Sequence, residues 1–426
     1  MKSATLFSTL LTTAAFATTL LAAPPKIQGR TDKDSYRIGE EMTFTFTVVE
    51  DPANPDGTFV KWVRTGDDGQ TTNSLVKVMP NTPLVVKTKA DKPGFVRVWA
   101  TLSHADGKTM NGQNTHFYAS AGAEIEKMQS TPEPQDFDAF WASQKKKLAA
   151  VSREPVTREE IASKNPKVKL FKLSIPCAGP RPTTGYLIVP VGATPQSLPA
   201  RLTFEGYGMG GKDAPQWYDD KSITFAVNAH GFELGKDEAY YQAFGDSLKV
   251  GKSGYAFDPE QNKNPETTYF NGMILRDLRA LDYVKSLPEW NGKDLEVRGG
   301  SQGGFQSLVL AGLDHDITSC DAGVPWCCDW GGKAKLGRVG GWQPAYTPAL
   351  DYYDPVNHAK RIPATCKVFI SRAGLGDDCC PASGLAVAYN NLKCPKKIRF
   401  VQGSEHMHWG GIPAGTQVFT LEENFK

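Results

Sequence analysis

Residues 297–304 read Val-Arg-Gly-Gly-Ser-Gln-Gly-Gly, which places Ser301 in the pattern Gly-x-Ser-x-Gly. A strand-like run precedes this pattern at 295–297, and a helix-like run follows it at 305–312. A turn this tight lifts the serine hydroxyl clear of the backbone, and only flanking glycines let strand and helix approach so closely. The stretch therefore predicts a nucleophile elbow, although a glycine-rich turn with a solvated serine produces the same pattern.

An acidic residue and then a histidine follow Ser301, each just after a strand-like run. Residues 366–371 read as a buried strand, and the loop that leaves this strand carries Asp377. Residues 397–401 form the next such run and lead to His406. Serine, acid and histidine in this chain order are typical of a hydrolytic triad on a parallel sheet. We therefore expect Ser301, Asp377 and His406 to converge at one edge of the sheet.

The second part of the chain, residues 136–426, alternates strand-like and helix-like stretches. Asp136 is a suitable N-cap for the amphipathic helix that opens this part. Strand-like runs then fall at 184–190, 202–205, 223–228, 295–297, 318–324, 368–371 and 398–401. This alternation predicts an α/β class domain with a mostly parallel sheet flanked by helices, and the elbow favours the α/β-hydrolase fold.

Residues 26–120 carry a different pattern, in which apolar residues alternate with period two. The clearest runs are at 42–48, 59–64 and 95–102, and turn-rich segments separate them. This spacing predicts a small Ig-like all-β sandwich, joined to the second domain by a linker at 121–135. Because the sandwich has no cysteine, it lacks the immunoglobulin disulfide, and the likeness is one of shape.

Composition favours a folded enzyme of two domains over a binding tail. The 426 residues are 40% hydrophobic and 22% charged, which is enough for two cores. The net charge of +2 and the lack of basic clusters with interleaved aromatics argue against a nucleic-acid partner. Lys2 and the apolar run at 6–21 indicate a signal peptide over 1–23, so we expect a secreted or periplasmic protein with no membrane span after cleavage.

All eight cysteines lie in the second part of the chain. An exported protein can pair some of them, but the sequence does not specify which. A disulfide within either adjacent pair, 327–328 or 379–380, would be strained, and both pairs lack the spacing of a zinc site. We therefore predict no metal site and no cofactor.

From residue 136 onward the chain resembles the acetyl xylan esterase and cephalosporin C deacetylase family of carbohydrate esterases, which are α/β-hydrolases. The similarity rests on the elbow and on Phe-Asp-Ala-Phe-Trp at 137–141, the helix at 269–286, Gly-Leu-Gly-Asp at 374–377 with Pro381, and Ala-Tyr-Asn-Asn at 388–391. It implies that Ser301 is the nucleophile, Asp377 the acid and His406 the base, and it favours Asp377 over the adjacent Asp378. Relatives of the catalytic part are often oligomeric, so the oligomeric state stays open.

Two segments depart from this family. Where its members carry Arg-Gly-Gln after a central strand, residues 230–232 read His-Gly-Phe, so the arginine that would brace the site is missing. Glu405 precedes His406 where the family has glycine, which leaves His408 as a rival base. The chain is therefore predicted to be a divergent relative, with its substrate less defined than its chemistry.

Five further residues are candidates for the site. Stabilising an oxyanion needs two N–H donors, and the backbone of Gln302 supplies one because it follows the nucleophile at a helix N-terminus. The resemblance places the backbone N–H of Tyr207 as the second. His230 should lie at a strand's C-terminal end, where substrates bind. Trp326 and Trp342 lie in aromatic loops and are assigned to sugar binding, although packing of an irregular lid also explains such rings.

These observations predict a secreted serine esterase that removes acetyl or other small acyl groups from a carbohydrate such as acetylated xylan, through an acyl-enzyme. Two alternatives stay open. A serine peptidase of the same fold would use the same triad, but the sequence shows no paired-glutamate motif to anchor a peptide terminus. A non-catalytic polysaccharide-binding or adhesion protein would use the sandwich, and the order of the triad argues against it.

Overall fold

A computed structural model describes residues 26–49, 54, 56–112, 114–215, 219–406 and 412–425 of the chain. The signal peptide predicted at 1–23 lies outside these residues, and so does His408. In the part of the chain that the structure describes, no helix has both the length and the apolar character needed to cross a bilayer.

The first part of the chain forms two β-sheets around a small core. Three antiparallel strands make one sheet, in the order β1 (Lys26–Thr31), β3 (Met42–Val49) and β6 (Leu84–Thr88). Five strands make the other, in the order β2 (Ser35–Tyr36), β8 (His116–Ala123), β7 (Gly94–Ser103), β4 (Thr58–Gly66) and β5 (Thr72–Val78). The predicted all-β sandwich is confirmed, and its last strand runs three residues beyond the predicted boundary at 120.

The sequence of β3 explains how this core forms. Met42, Phe44, Phe46 and Val48 are buried, and the residues between them are only partly buried. Because the side chains of a strand point alternately to its two faces, the period-two pattern places one apolar row inside. Residues of the opposite sheet, such as Val98, belong to the same core.

The second part is built on a sheet of ten strands. In spatial order they are β18 (Val418–Glu423), β17 (Lys396–Val401), β16 (Lys367–Gly374), β15 (Ser319–Gly323), β14 (Trp290–Gly300), β12 (Leu198–Phe204), β13 (Ile223–Val227), β11 (Thr183–Pro190), β10 (Val168–Ile175) and β9 (Thr157–Ile161). Strands β12 to β17 run parallel to one another. Strand β18 pairs antiparallel at one edge, and β11, β10 and β9 pair antiparallel at the other.

Helices flank this sheet, which confirms the predicted α/β class. The helices are α1 (Phe137–Ala149), α2 (Glu238–Ser247), α3 (Tyr269–Lys285), α4 (Gln302–Leu313), α5 (Trp330–Leu336), α6 (Pro355–Ala359) and α7 (Ala382–Asn391), with 3-10 turns at Ile125–Lys127, Gln261–Lys263 and Pro348–Tyr352. Helix α4 is buried along its whole length and packs against β14 and β15. It follows Ser301 directly, so the elbow lies at the centre of the sheet.

Some local predictions differ from the structure. Asp136 occupies the N-cap position of α1, as predicted, but its carboxylate caps no helix N–H and instead accepts a hydrogen bond from the Tyr352 hydroxyl. Strands β9, β10 and β18 were not predicted. The sequence of β9 is charged and almost fully exposed, because an edge strand needs no alternating apolar row.

The sandwich packs directly against the second part. Asp67 of the loop after β4 is 1% exposed, and the Ser383 hydroxyl of α7 donates its one proton to the Asp67 carboxylate, with the two carboxylate oxygens at 2.9 and 2.8 Å. The same carboxylate accepts a bond from the Val339 N–H at 2.9 Å. Phe95 of β7 belongs to the core of the larger part. Buried polar and apolar contacts therefore hold the two parts together, while the domain boundaries stay a prediction.

Candidate active site

The turn at Ser301 is strained in the way an elbow requires. Ser301 has φ 56° and ψ −116°, a conformation that non-glycine residues rarely adopt. Its N–H donates to the Gly323 carbonyl at 2.8 Å, which ties the turn to the neighbouring strand β15. A Cβ on Gly303 would collide with the Phe204 carbonyl oxygen, so only glycine lets α4 start this close to β12. The strain is thus held by packing on both sides.

The three predicted catalytic side chains are in hydrogen-bond contact. His406, in the loop after β17, has Nε2 at 3.1 Å from the Ser301 hydroxyl oxygen. Its Nδ1 lies 2.9 Å from Oδ2 of Asp377, which follows β16. The rival Asp378 is exposed, and the rival His408 lies outside the described residues. Ser301, His406 and Asp377 therefore form one continuous chain of hydrogen bonds across three loops.

The other carboxylate oxygen of Asp377 is held by backbone donors. The N–H groups of Cys379 and Cys380 both donate to Oδ1 at 2.8 Å. Asp377 is 3% exposed, so these bonds replace the water that would otherwise solvate the carboxylate. They also fix which oxygen faces His406.

Asp377 and Cys379 change the pKa of His406. Burial lowers the pKa of His406, but its hydrogen bonds to Asp377 and Cys379 outweigh burial and raise the pKa above its ordinary value. In turn, hydrogen bonds to Cys380 and to His406 lower the pKa of the Cys379 thiol, against the effect of its burial. Cys379 is thus an electrostatic neighbour of the histidine, and no pattern in the sequence predicts this contact.

The backbone N–H groups of Gln302 and Tyr207 are free to receive a ligand oxygen. Neither has a hydrogen-bond partner among the residues that the structure describes. The loop with Tyr207 leaves β12 at Phe204, which pairs with Gly299 just before the elbow. Register therefore places this loop beside the N-terminus of α4, as the sequence-based prediction requires.

Tyr255 links these two segments and was not predicted. Its hydroxyl donates to Oε1 of Gln302 at 2.8 Å and accepts from the Gly208 N–H at 2.8 Å. Its ring stacks on Tyr207 with centroids 4.1 Å apart. Because Tyr255 lies in an irregular segment between α2 and α3, no periodicity could have identified it.

The predicted substrate residues differ in exposure. His230 is 1% exposed, and its ring nitrogens lie 2.6 Å from the Tyr269 hydroxyl and 2.7 Å from the Gly208 carbonyl oxygen. Burial lowers the pKa of His230 to about 4, so the ring is neutral. Arg276 of α3 donates to the Ala229 carbonyl and so braces this loop. It does so from a different element of the fold, since the arginine expected at position 230 is missing. His230 therefore has no surface for direct substrate contact.

The two tryptophans have opposite environments. Trp326 is fully buried, whereas Trp342 is 46% exposed. Trp326 Nε1–H donates to the Trp342 carbonyl at 2.6 Å, and the rings lie 5.4 Å apart. The Trp342 N–H donates to the Cys379 carbonyl at 3.1 Å, and its ring packs edge-on to Tyr207 at 4.7 Å. Of the two, only Trp342 offers a ring face beside the loops with the acid and the predicted oxyanion donor.

Strand β8 of the sandwich contacts the loops with the acid and the histidine. The Ser120 N–H donates to Oε1 of Gln402 at 3.0 Å, and Gln402 Nε2–H donates to the Ser120 carbonyl at 2.9 Å. The Ser120 hydroxyl donates to the Leu375 carbonyl, two residues before Asp377. His116 Nε2 lies 2.6 Å from Oε1 of Glu405. The sandwich thereby holds both loops in place.

Comparison with known proteins identifies similar esterases. The family model described as acetyl xylan esterase (AXE1) matches residues 123–340 and 345–422. Acetyl esterase Axe7A of Xylanibacter ruminicola is 29% identical over 333 residues, which are 74% of this chain and 71% of that protein.

Two solved structures share the fold of the second part. The acetyl xylan esterase from Paenibacillus sp. R4 has a TM-score of 0.56 at 24% identity, and the match covers 68% of this chain and 94% of that one. Acetyl xylan esterase 1 from Thermoanaerobacterium sp. JW/SL YS485 has a TM-score of 0.55 at 22% identity, with the same two coverages of 68% and 94%. At these identities the likeness establishes the α/β-hydrolase fold.

Proposed function

Because this chain belongs to the acetyl xylan esterase family and is a carboxylic ester hydrolase, we propose that it removes acetyl groups from a carbohydrate such as acetylated xylan. The observation that carries the proposal is the hydrogen-bonded chain from Ser301 through His406 to Asp377. An ester is attacked by an activated hydroxyl, and this arrangement can activate one.

The reaction proceeds in two halves through an acetyl-enzyme. Asp377 accepts the Nδ1–H of His406, which leaves Nε2 free to accept the Ser301 proton as the hydroxyl oxygen attacks the acetyl carbonyl. The imidazolium returns that proton to the sugar hydroxyl that leaves, and Ser301 remains acetylated. Water then attacks the acetyl-serine with the same histidine as base, which releases acetate and restores the free serine.

The tetrahedral oxyanion is stabilised by the backbone N–H groups of Gln302 and Tyr207. Each such donor contributes on the order of 3 kcal/mol to lowering the barrier. Tyr255 acts as a positioning residue, because its hydroxyl bridges the Gln302 side chain and the backbone next to Tyr207. The neutral, buried His230 accounts for the geometry of the Gly208 backbone and plays no part in the chemistry.

A sugar ring of the substrate stacks on Trp342. Support for this comes from its exposed ring beside the Tyr207 loop, with the buried Trp326 underneath. Trp342 falls in the short gap between the two segments that the family model matches. It is therefore a feature through which this chain can differ from its relatives in the carbohydrate it accepts.

The enzyme acts outside the cytoplasm, where polysaccharides are found. The basic Lys2, the apolar run that follows it and the small residues at 22–23 support export by a cleaved signal peptide. No metal or cofactor is needed for the proposed chemistry. Mass analysis of the N-terminus of the exported protein tests the cleavage of the signal peptide, and an intact Met1 on protein recovered outside the cell would contradict it.

The function is tested by assaying the purified protein beside Ser301→Ala on four substrates: a chromogenic acetate, a longer-chain ester, acetylated xylan and a chromogenic dipeptide. We expect release of acetate from the first and third, and loss of that release in the variant. Cleavage of the dipeptide without acetate release would instead favour a peptidase. Retention of xylan without any turnover would favour an adhesion protein.

A further inference from the structure

We propose that Cys379, Cys380 and His406 form a binding site for a soft divalent cation such as Zn²⁺, and that the bound ion switches the esterase off. The inhibition rests on the proposed role of His406 as the base, whereas the binding does not. Thiolate and imidazole are the ligands that Zn²⁺ and Cd²⁺ prefer in proteins.

The ligand atoms are already gathered. One atom from each of the three side chains lies within 4.8 Å of the other two, and the two sulfurs are 4.0 Å apart. In a tetrahedral zinc site with ordinary bond lengths, sulfurs are about 3.8 Å apart and a sulfur lies about 3.6 Å from an imidazole nitrogen. The ligands therefore need to move closer together by at most about 1.2 Å to surround an ion.

The backbone holds this arrangement before any ion arrives. The N–H groups of Cys379 and Cys380 both donate to Asp377, and Asp377 also contacts His406. One carboxylate thus fixes the segments that carry all three ligands. Preorganisation of this kind lowers the cost of ordering the ligands on binding.

The cluster is distinct from the other cysteines of the chain. Within the ranges that the structure describes, no other three cysteine, histidine or acidic side chains approach one another as closely. All eight cysteines are free thiols. Cys379 and His406 are partly exposed, so an ion can reach them from the catalytic side, while the buried Cys380 closes the site from within.

Either ring nitrogen of His406 can take the ion, and both outcomes stop catalysis. If Nε2 binds the ion, it loses its hydrogen bond to the Ser301 hydroxyl, while Nδ1–H keeps its hydrogen bond to Asp377, as in many metal-bound histidines. If Nδ1 binds the ion instead, His406 loses its hydrogen bond to Asp377. On binding, two S–H bonds break, their protons pass to solvent, and two sulfur–metal bonds form with no change in oxidation state.

Activity and binding are measured separately on the full chain under reducing conditions. Zn²⁺ is expected to inhibit hydrolysis of a chromogenic acetate, and EDTA to restore it. The zinc concentration that halves each variant's own metal-free rate should rise about tenfold or more in Cys379→Ser and in Cys380→Ser. Cys177→Ser, a matched change at a partly exposed cysteine elsewhere, should leave it unaltered.

Binding is read from the sulfur–cadmium absorption band with Cd²⁺ as the probe, in Ser301→Ala protein. One ion per chain is expected, and it should be lost when Cys379→Ser is added. An unchanged band, or equal inhibition of Cys379→Ser and the parent, would overturn the site. Binding without inhibition would overturn the role given to His406, and inhibition that EDTA does not reverse would overturn metal binding as its cause. If the parent showed no esterase activity, the cadmium result alone would decide the site.

Discussion

Asp377→Asn replaces one carboxylate oxygen by an NH₂ group without changing the shape of the side chain. Oδ1 accepts hydrogen bonds from the N–H groups of Cys379 and Cys380, so the amide oxygen must occupy that position. The NH₂ group then faces Nδ1 of His406, which lies 2.9 Å from Oδ2 in the parent. Nδ1 must become an acceptor, and the ring proton moves to Nε2. In this tautomer His406 cannot accept the Ser301 proton.

We therefore expect kcat for a chromogenic acetate to fall about 10⁴-fold, as it does when the acid of a serine–histidine–acid triad becomes an amide. Thermal unfolding should change little, because the bonds to Oδ1 persist. Asp378→Asn is the matched control at an exposed neighbour and should retain its rate within about twofold. A rate for Asp377→Asn within tenfold of the parent, or an equal loss in Asp378→Asn, would refute the assignment.

Three further predictions concern the histidine, the sandwich and the substrate. Since its neighbours raise the pKa of His406 and only the neutral ring is a base, kcat/KM should rise with pH and reach half its maximum above about pH 6.5. A pH profile that is already flat below about pH 6 would contradict this. Gln402→Met leaves the buried N–H and C=O of Ser120 unpaired, which should cost about 2–4 kcal/mol in denaturant unfolding, whereas the exposed Gln242→Met should change it by under about 0.5 kcal/mol. Equal effects of the two would exclude the sandwich contact. Trp342→Ala should lower kcat/KM on acetylated xylan about fivefold, roughly 1 kcal/mol, and lower kcat/KM on a chromogenic acetate much less. An equal fall on both substrates would exclude stacking of a sugar ring on Trp342.

The contact among Ser301, Asp377 and His406 could be predicted from sequence because each residue's position depends on local constraints. The glycines around Ser301 are required by the close approach of strand and helix. Asp377 and His406 each follow a recognisable buried strand, and parallel strands end at the same edge of a sheet. Chain order and strand pattern together therefore predicted three side chains that are in contact in the structure.

The supporting residues could not be predicted, because their positions depend on contacts between distant loops. Tyr255 and Gln402 lie in segments without periodicity, and only the folded chain brings them to the Gln302 side chain and to Ser120. Trp326 and Trp342 are the same residue type in neighbouring loops, yet one is buried and the other is half exposed. Tertiary packing, not sequence pattern, decides between a core residue and a binding surface.

The identity of the nucleophile is tested most directly by mass spectrometry of the acyl-enzyme, trapped by rapid acid quench during turnover of a chromogenic acetate. We expect one acetyl group per chain, on the peptide that contains Ser301, and none in Ser301→Ala. Acetyl on Cys379, the thiol that contacts His406, or turnover that persists in Ser301→Ala, would contradict the proposed mechanism.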